Sequence, residues 1–92
     1  MAQDVIRRRA LVEGNVQGVF FRDSTRDQAE KHGVAGWVSN RSDGAVEVVL
    51  EGPRAAVEQV LEFVAQGPPE ASVEAVAVRD EEPEGLGAFE VR

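Results

Sequence analysis

Residues 14 to 22, GNVQGVFFR, set two glycines, a run of apolar side chains and an arginine in nine consecutive positions. The chemistry such a run offers is anion binding. Successive main-chain N–H groups of a curved loop form a concave oxyanion site when they turn inward. Gly14 and Gly18 supply the dihedral freedom for that curvature. A polar, helix-compatible stretch follows, and a helix N-terminus adds unpaired N–H groups and a positive dipole end. Arg22 falls in the first turn of that helix, the wrong end for a cation unless an anion lies between them. Its planar fork matches two phosphate oxygens. The same residues suit a plainer use, in which the glycines turn the chain and Arg22 sits on the surface. Neither the Walker loop nor the dinucleotide G-x-G-x-x-G pattern is present.

A second stretch, GWVSNRSDGAVEVVLEG at residues 36–52, brings Asn40 to the end of a strand, ahead of an Asp43-Gly44 turn. A carboxamide carries a donor and an acceptor, enough to hold a water in line with a bound phosphorus. Taken alone, Asn40 equally suits a turn-flanking side chain that bonds locally.

Positioning these groups requires a scaffold, and the patterning supplies one. Residues 5–12 are strand-like, with Arg7, Arg8 and Arg9 sent to alternating faces. Residues 14–20 form the loop, 22–32 the first helix and Gly33 its C-cap. Residues 34–40 and 45–51 read as the arms of a hairpin, with Val46, Val48 and Leu50 on one face. Pro53 suits a first helical position, and Val57, Val60, Leu61 and Val64 recur at helical spacing until Gly67-Pro68-Pro69. Residues 73–79 form another strand, 80–87 an acidic solvated loop and 88–91 a short last strand. This order predicts the α+β class. It predicts a ferredoxin-like α/β sandwich, βαββαβ, with two helices packed on one face of an antiparallel sheet. The strand carrying Asn40 then lies close to the loop. The whole chain, 1–92, reads as a single domain.

Composition narrows the chemistry further. The 92 residues include one histidine, His32, and no cysteine, which excludes thiolate metal sites, cysteine nucleophiles and disulfide scaffolds. His32, at the end of the first helix, suits its negative dipole end. The net charge of −7 argues against nucleic-acid and anionic-membrane partners. No apolar run spans a bilayer, and MAQDVIRRRALVEG lacks the apolar core of a secretory signal. A cytoplasmic protein, monomeric and without cofactor, is expected. Trp37 is expected to pack at the edge of the core.

The two stretches together resemble the two signature motifs of acylphosphatases. The family loop, roughly G-x-V-Q-G-V-x-[FY]-R, is matched by Gly14, Val16, Gln17, Gly18, Val19, Phe21 and Arg22. The second motif is matched by Gly36, Trp37, Val38, Asn40, Asp43, Gly44, Val46 and Gly52. The resemblance covers essentially the whole chain and selects the anion-binding reading over the plainer ones. It implies metal-independent hydrolysis of the carboxyl–phosphate bond of a small-molecule acyl phosphate, giving carboxylate and inorganic phosphate. Arg22 would bind the phosphate together with loop amides of Asn15, Val16, Gln17, Gly18, Val19, Phe20 and Phe21. Asn40 would orient the water. The chain departs from the pattern at Glu13, which is acidic beside the site, and at Asn15 and Ser39, where relatives often carry basic or longer side chains. Two other classes fit the same fold: a non-catalytic anion-sensing module, and an RNA-binding sandwich, which the charge opposes. Related domains also occur fused to carbamoyl-transfer maturation proteins, whereas the chain length here suggests a free-standing enzyme.

Overall fold

Alternation along the third strand buries Val46, Val48 and Leu50 completely on one face. The computed structural model describes residues 4–92. Met1 to Gln3, which begin the segment read above for a secretory signal, lie outside the described residues. The elements run β1 (Val5–Asn15), α1 (Phe21–His32), β2 (Ala35–Asn40), β3 (Val46–Pro53), α2 (Arg54–Gln66), β4 (Ser72–Glu81) and β5 (Phe89–Val91). β1 pairs antiparallel with β3 and β4, and β2 pairs antiparallel with β3. The sheet order is β4-β1-β3-β2-β5, the ferredoxin-like arrangement with one strand added. That added strand, β5, runs parallel to β2, so the sheet is mixed rather than wholly antiparallel.

Both helices pack against the sheet: α1 lies on β2 and β5, and α2 on β1, β3 and β4. α2 buries Val57, Val60 and Val64 as its periodicity predicts, and each such side chain contributes at most about 1.5–3 kcal/mol of transfer free energy. Pro53 ends β3 and stands just outside α2, with an extended ψ of 139°, rather than at the first helical position. α1 buries only Phe21, Thr25 and Ala29, a narrow stripe at i, i+4 and i+8. No helix among the described residues is long and apolar enough to cross a membrane.

The other face of the sheet carries charge. Asp80 and Glu81, read above as part of a solvated loop, belong to β4 and pair with arginines of β1. Arg8 Nε, on the helix-covered face beside Glu58 of α2, donates to Asp80 at 2.9 Å, whereas Arg7 and Arg9 stand on the open face. Glu81 accepts from Arg9 Nε at 2.7 Å and Arg7 Nε at 2.9 Å. These cross-strand ion pairs extend the ladder past Arg79. They also hold the Glu81 carboxyl at about 2, with the Arg9 hydrogen bond the leading cause and Arg7 next.

From β4 the chain must reach β5 at the opposite edge, and Glu51 of central β3 holds that crossing. Its buried carboxylate accepts the N–H groups of Glu84, Gly85 and Leu86, each at 2.8 Å. Burial pushes its pKa up, but the three amides and Arg7 outweigh burial and leave it lowered. A carboxyl depressed by folding contributes stability above its ordinary value and loses it as pH falls through the folded one. The urea midpoint is therefore expected to hold above pH 4.5 and to decline between 4.5 and about 2. Glu81→Gln should flatten that decline. An equally steep decline in the variant would remove Glu81 from the acid response.

Candidate active site

The strand-to-helix junction begins later than the glycine pattern suggests. Gly14 and Asn15 belong to β1, and the pairing with β4 shifts register between Glu13 and Gly14. Gly14 has φ 129°, and a Cβ there would stand 2.2 Å from the Ser72 carbonyl oxygen. Its role is to admit β4 closely, while loop curvature falls to Gly18 at φ 74°.

The loop is tied at three points. Val16 is buried in the core and Val19 packs partly against it. Gln17 Nε2 donates to the carbonyls of Arg41 at 2.7 Å and Ala45 at 2.9 Å, clamping the loop to the β2–β3 turn. That turn is itself braced. Asp43 Oδ1 accepts from the Ala45 N–H at 3.1 Å, and Asp43 Oδ2 accepts from Arg41 Nε at 3.2 Å. The Arg41 side chain, then the Ala45 amide, hold the Asp43 pKa low. Through this clamp the strand ending in Asn40 is fixed beside the loop.

At the helix start two adjacent phenylalanines part company. Phe21 is buried, whereas Phe20 is 71% exposed and takes a left-handed backbone, φ 63° and ψ 20°. It is the one non-glycine residue with positive φ among those described. The Phe20 carbonyl accepts the Ser24 N–H at 3.0 Å, the first helical bond. The preceding amides of α1 therefore lack intrahelical acceptors. Among the turn, loop and cap main-chain bonds of the described residues, none is donated by residues 17–21.

A cavity of about 220 Å³ opens here. Its walls come from the loop at Val16 and Gly18, from α1 and its cap at residues 20–23, and from Asn40. Arg22 and Asn40, 18 positions apart in the chain, thus share one cavity. Asn15, Gln17 and Val19 do not line it. Arg22 Nη1 donates to the Arg92 main-chain oxygen at 2.9 Å, so the β5 end fixes one arm of the fork. The Asn40 main-chain oxygen accepts from Ser39 Oγ at 3.3 Å. The Asn40 Oδ1 is buried and has no partner among the described residues, a feature it shares with Thr25 Oγ1. A buried acceptor left unmade costs roughly 1–3 kcal/mol.

Three contributors escape local reading. Asp23 lines the cavity, and its acidic first-turn position was the one visible hint. Gln17 acts through its side chain, as a clamp. The Arg92 oxygen carries no local signal at all. Trp37, expected at the core edge, is half-buried and has the guanidinium groups of Arg9 at 5.4 Å and Arg92 at 4.8 Å from its ring. His32 ends α1, at the opposite end from Arg22. No group of three His, Cys, Asp or Glu residues suited to hold a metal ion occurs among the described residues.

A family model described as Acylphosphatase matches residues 8–91. An acylphosphatase of Haloquadratum walsbyi is 49% identical over 92 residues, covering all of this chain and 99% of the relative. One of Gloeobacter violaceus is 54% identical over 86 residues, covering 94% of this chain and 92% of the relative. The crystal structure of acylphosphatase from Bacillus subtilis superposes with a TM-score of 0.91 at 39% identity, covering 95% of this chain and 98% of that one.

Proposed function

The chain belongs to the acylphosphatase family, hydrolases of acyl phosphates, and on that premise we propose that Arg22, Asn40 and the loop amides are its catalytic apparatus. The observation that carries the assignment is the sharing of one cavity by Arg22, the loop and the unbonded Asn40 carboxamide. The phosphate of an acyl phosphate lies against the unengaged loop amides that enter α1 and the free arm of Arg22. Both neutralise the non-bridging oxygens, whose charge persists through a loose transition state. Asn40 holds a water on the face of phosphorus opposite the carboxyl oxygen. The water oxygen bonds to phosphorus as the bridging P–O bond breaks, and the electron pair of that bond leaves on the carboxylate.

No general acid is required, because a carboxylic acid of pKa about 4–5 leaves readily as its anion. The water proton passes to a phosphate oxygen of the substrate. Arg22 supplies the cation, so no metal enters the scheme. On the same reading the protein is a single-domain monomer of the cytoplasm, acting without nucleic acid or membrane. Its net charge of −7 supports the last two points.

The test is hydrolysis of benzoyl phosphate in excess chelator. The expected rate equals that without chelator. Activity lost on chelation and restored by a divalent cation would contradict the metal-free scheme. Phosphate binding with no turnover would leave an anion-sensing module in place of an enzyme.

A further inference from the structure

Phe20 is costly as it stands. An aromatic residue in the left-handed region is strained, and one left 71% exposed forgoes most of its burial. Yet its neighbours hold it there: buried Phe21 follows it, and its carbonyl starts the helix. Phe20 lines the cavity that Arg22 and Asn40 share. In an acyl phosphate the acyl carbon is one bridging oxygen away from phosphorus. With the phosphate against the amides, the acyl group must therefore lie within reach of the cavity wall.

The second feature of that wall is Asp23. Its side chain is 62% exposed, and Arg26 meets it only loosely at 3.9 Å. A carboxylate so weakly paired repels a second negative group on the substrate, as does the charge of the whole chain.

We infer that Phe20 and Asp23 form the acyl-group subsite, and that they select acyl phosphates whose acyl group is aromatic and uncharged. This rests on the acyl phosphate reading above. Phe20 supplies an aromatic face for stacking, and Asp23 turns away acyl groups that carry a carboxylate or a further phosphate.

Non-hydrolysable phosphonates test both residues by calorimetry. Phenacylphosphonate and acetonylphosphonate mimic benzoyl and acetyl phosphate with CH₂ in place of the bridging oxygen. The wild type is expected to bind the first about tenfold more tightly than the second. Phe20→Gly relaxes the backbone, and Phe20→Asn tolerates the left-handed conformation; both should bring that ratio close to one. For Asp23, the affinity of 3-phosphonopropionate relative to propylphosphonate should rise about threefold in Asp23→Asn. Equal wild-type affinities for phenacylphosphonate and acetonylphosphonate would overturn the inference. So would a ratio that persists in both Phe20 variants, or an Asp23→Asn effect equal for the charged and uncharged ligands. The ratios are read without turnover. A chain that discriminates in this way but leaves benzoyl phosphate intact would therefore retain the subsite and lose the hydrolytic reading.

Discussion

Arg22→Ala is expected to lose phosphate binding and turnover together. A guanidinium that neutralises phosphoryl charge in the transition state is worth on the order of 10³-fold or more in rate. The competitive inhibition constant of inorganic phosphate should rise by about 10²-fold, because the same cation grips substrate and product. Steady-state kinetics with benzoyl phosphate, and inhibition by inorganic phosphate, read the two effects. Arg22→Lys should recover only part of either, since an ammonium restores the charge without the planar fork. The fold should survive, because the Arg22 side chain bonds only the Arg92 main-chain oxygen among the described residues. Phosphate inhibition unchanged in Arg22→Ala would detach the cation from the oxyanion.

Asn40→Ala separates binding from chemistry. Its Oδ1 has no hydrogen-bond partner among the described residues, so removing it strips little from the fold. A water-orienting group acts mainly in the transition state, so kcat should fall by about 10²–10³-fold. Phosphate inhibition should stay within about threefold of wild type, because Asn40 is not asked to grip the anion. Paired kinetics on the two variants therefore give different signatures: both constants move for Arg22, one for Asn40. Full activity of Asn40→Ala towards an acyl phosphate would end its water-orienting role.

Much of this arrangement is written locally. The i, i+3, i+4, i+7 valine and leucine spacing marks α2, and the Asp43-Gly44 turn marks the hairpin that carries Asn40. The loop and Arg22 are visible as a glycine-punctuated run entering a helix, and the paired motifs raise that run from a common pattern to a specific one. α1 is harder to read, because its buried stripe of Phe21, Thr25 and Ala29 holds one large apolar residue in a polar sequence. Gly14 is misplaced by the same local reading: the approach of β4, from residues near 72, decides its role.

The rest is set by partners far away in sequence. Glu81 looks like part of a solvated acidic run until Arg7 and Arg9 are brought alongside it. The parallel direction of β5 follows from a crossing held by Glu51, not from anything in its three residues. The support of Arg22 by Arg92 spans 70 positions and involves a main-chain atom, which no side-chain pattern announces. Single-strand periodicity cannot encode such contacts, since they depend on which elements the sheet order makes neighbours.

The central claim is that main-chain amides and one guanidinium grip the same oxyanion. An amide-resolved NMR titration of the wild-type protein with inorganic phosphate tests it most directly. The amide signals of residues 15–21 and the Arg22 guanidinium signal are predicted to shift along one saturation curve. All of those shifts should vanish in Arg22→Ala. Saturable shifts that left residues 15–22 unmoved, and fell instead on the charged sheet face around Arg9 and Arg79, would contradict it.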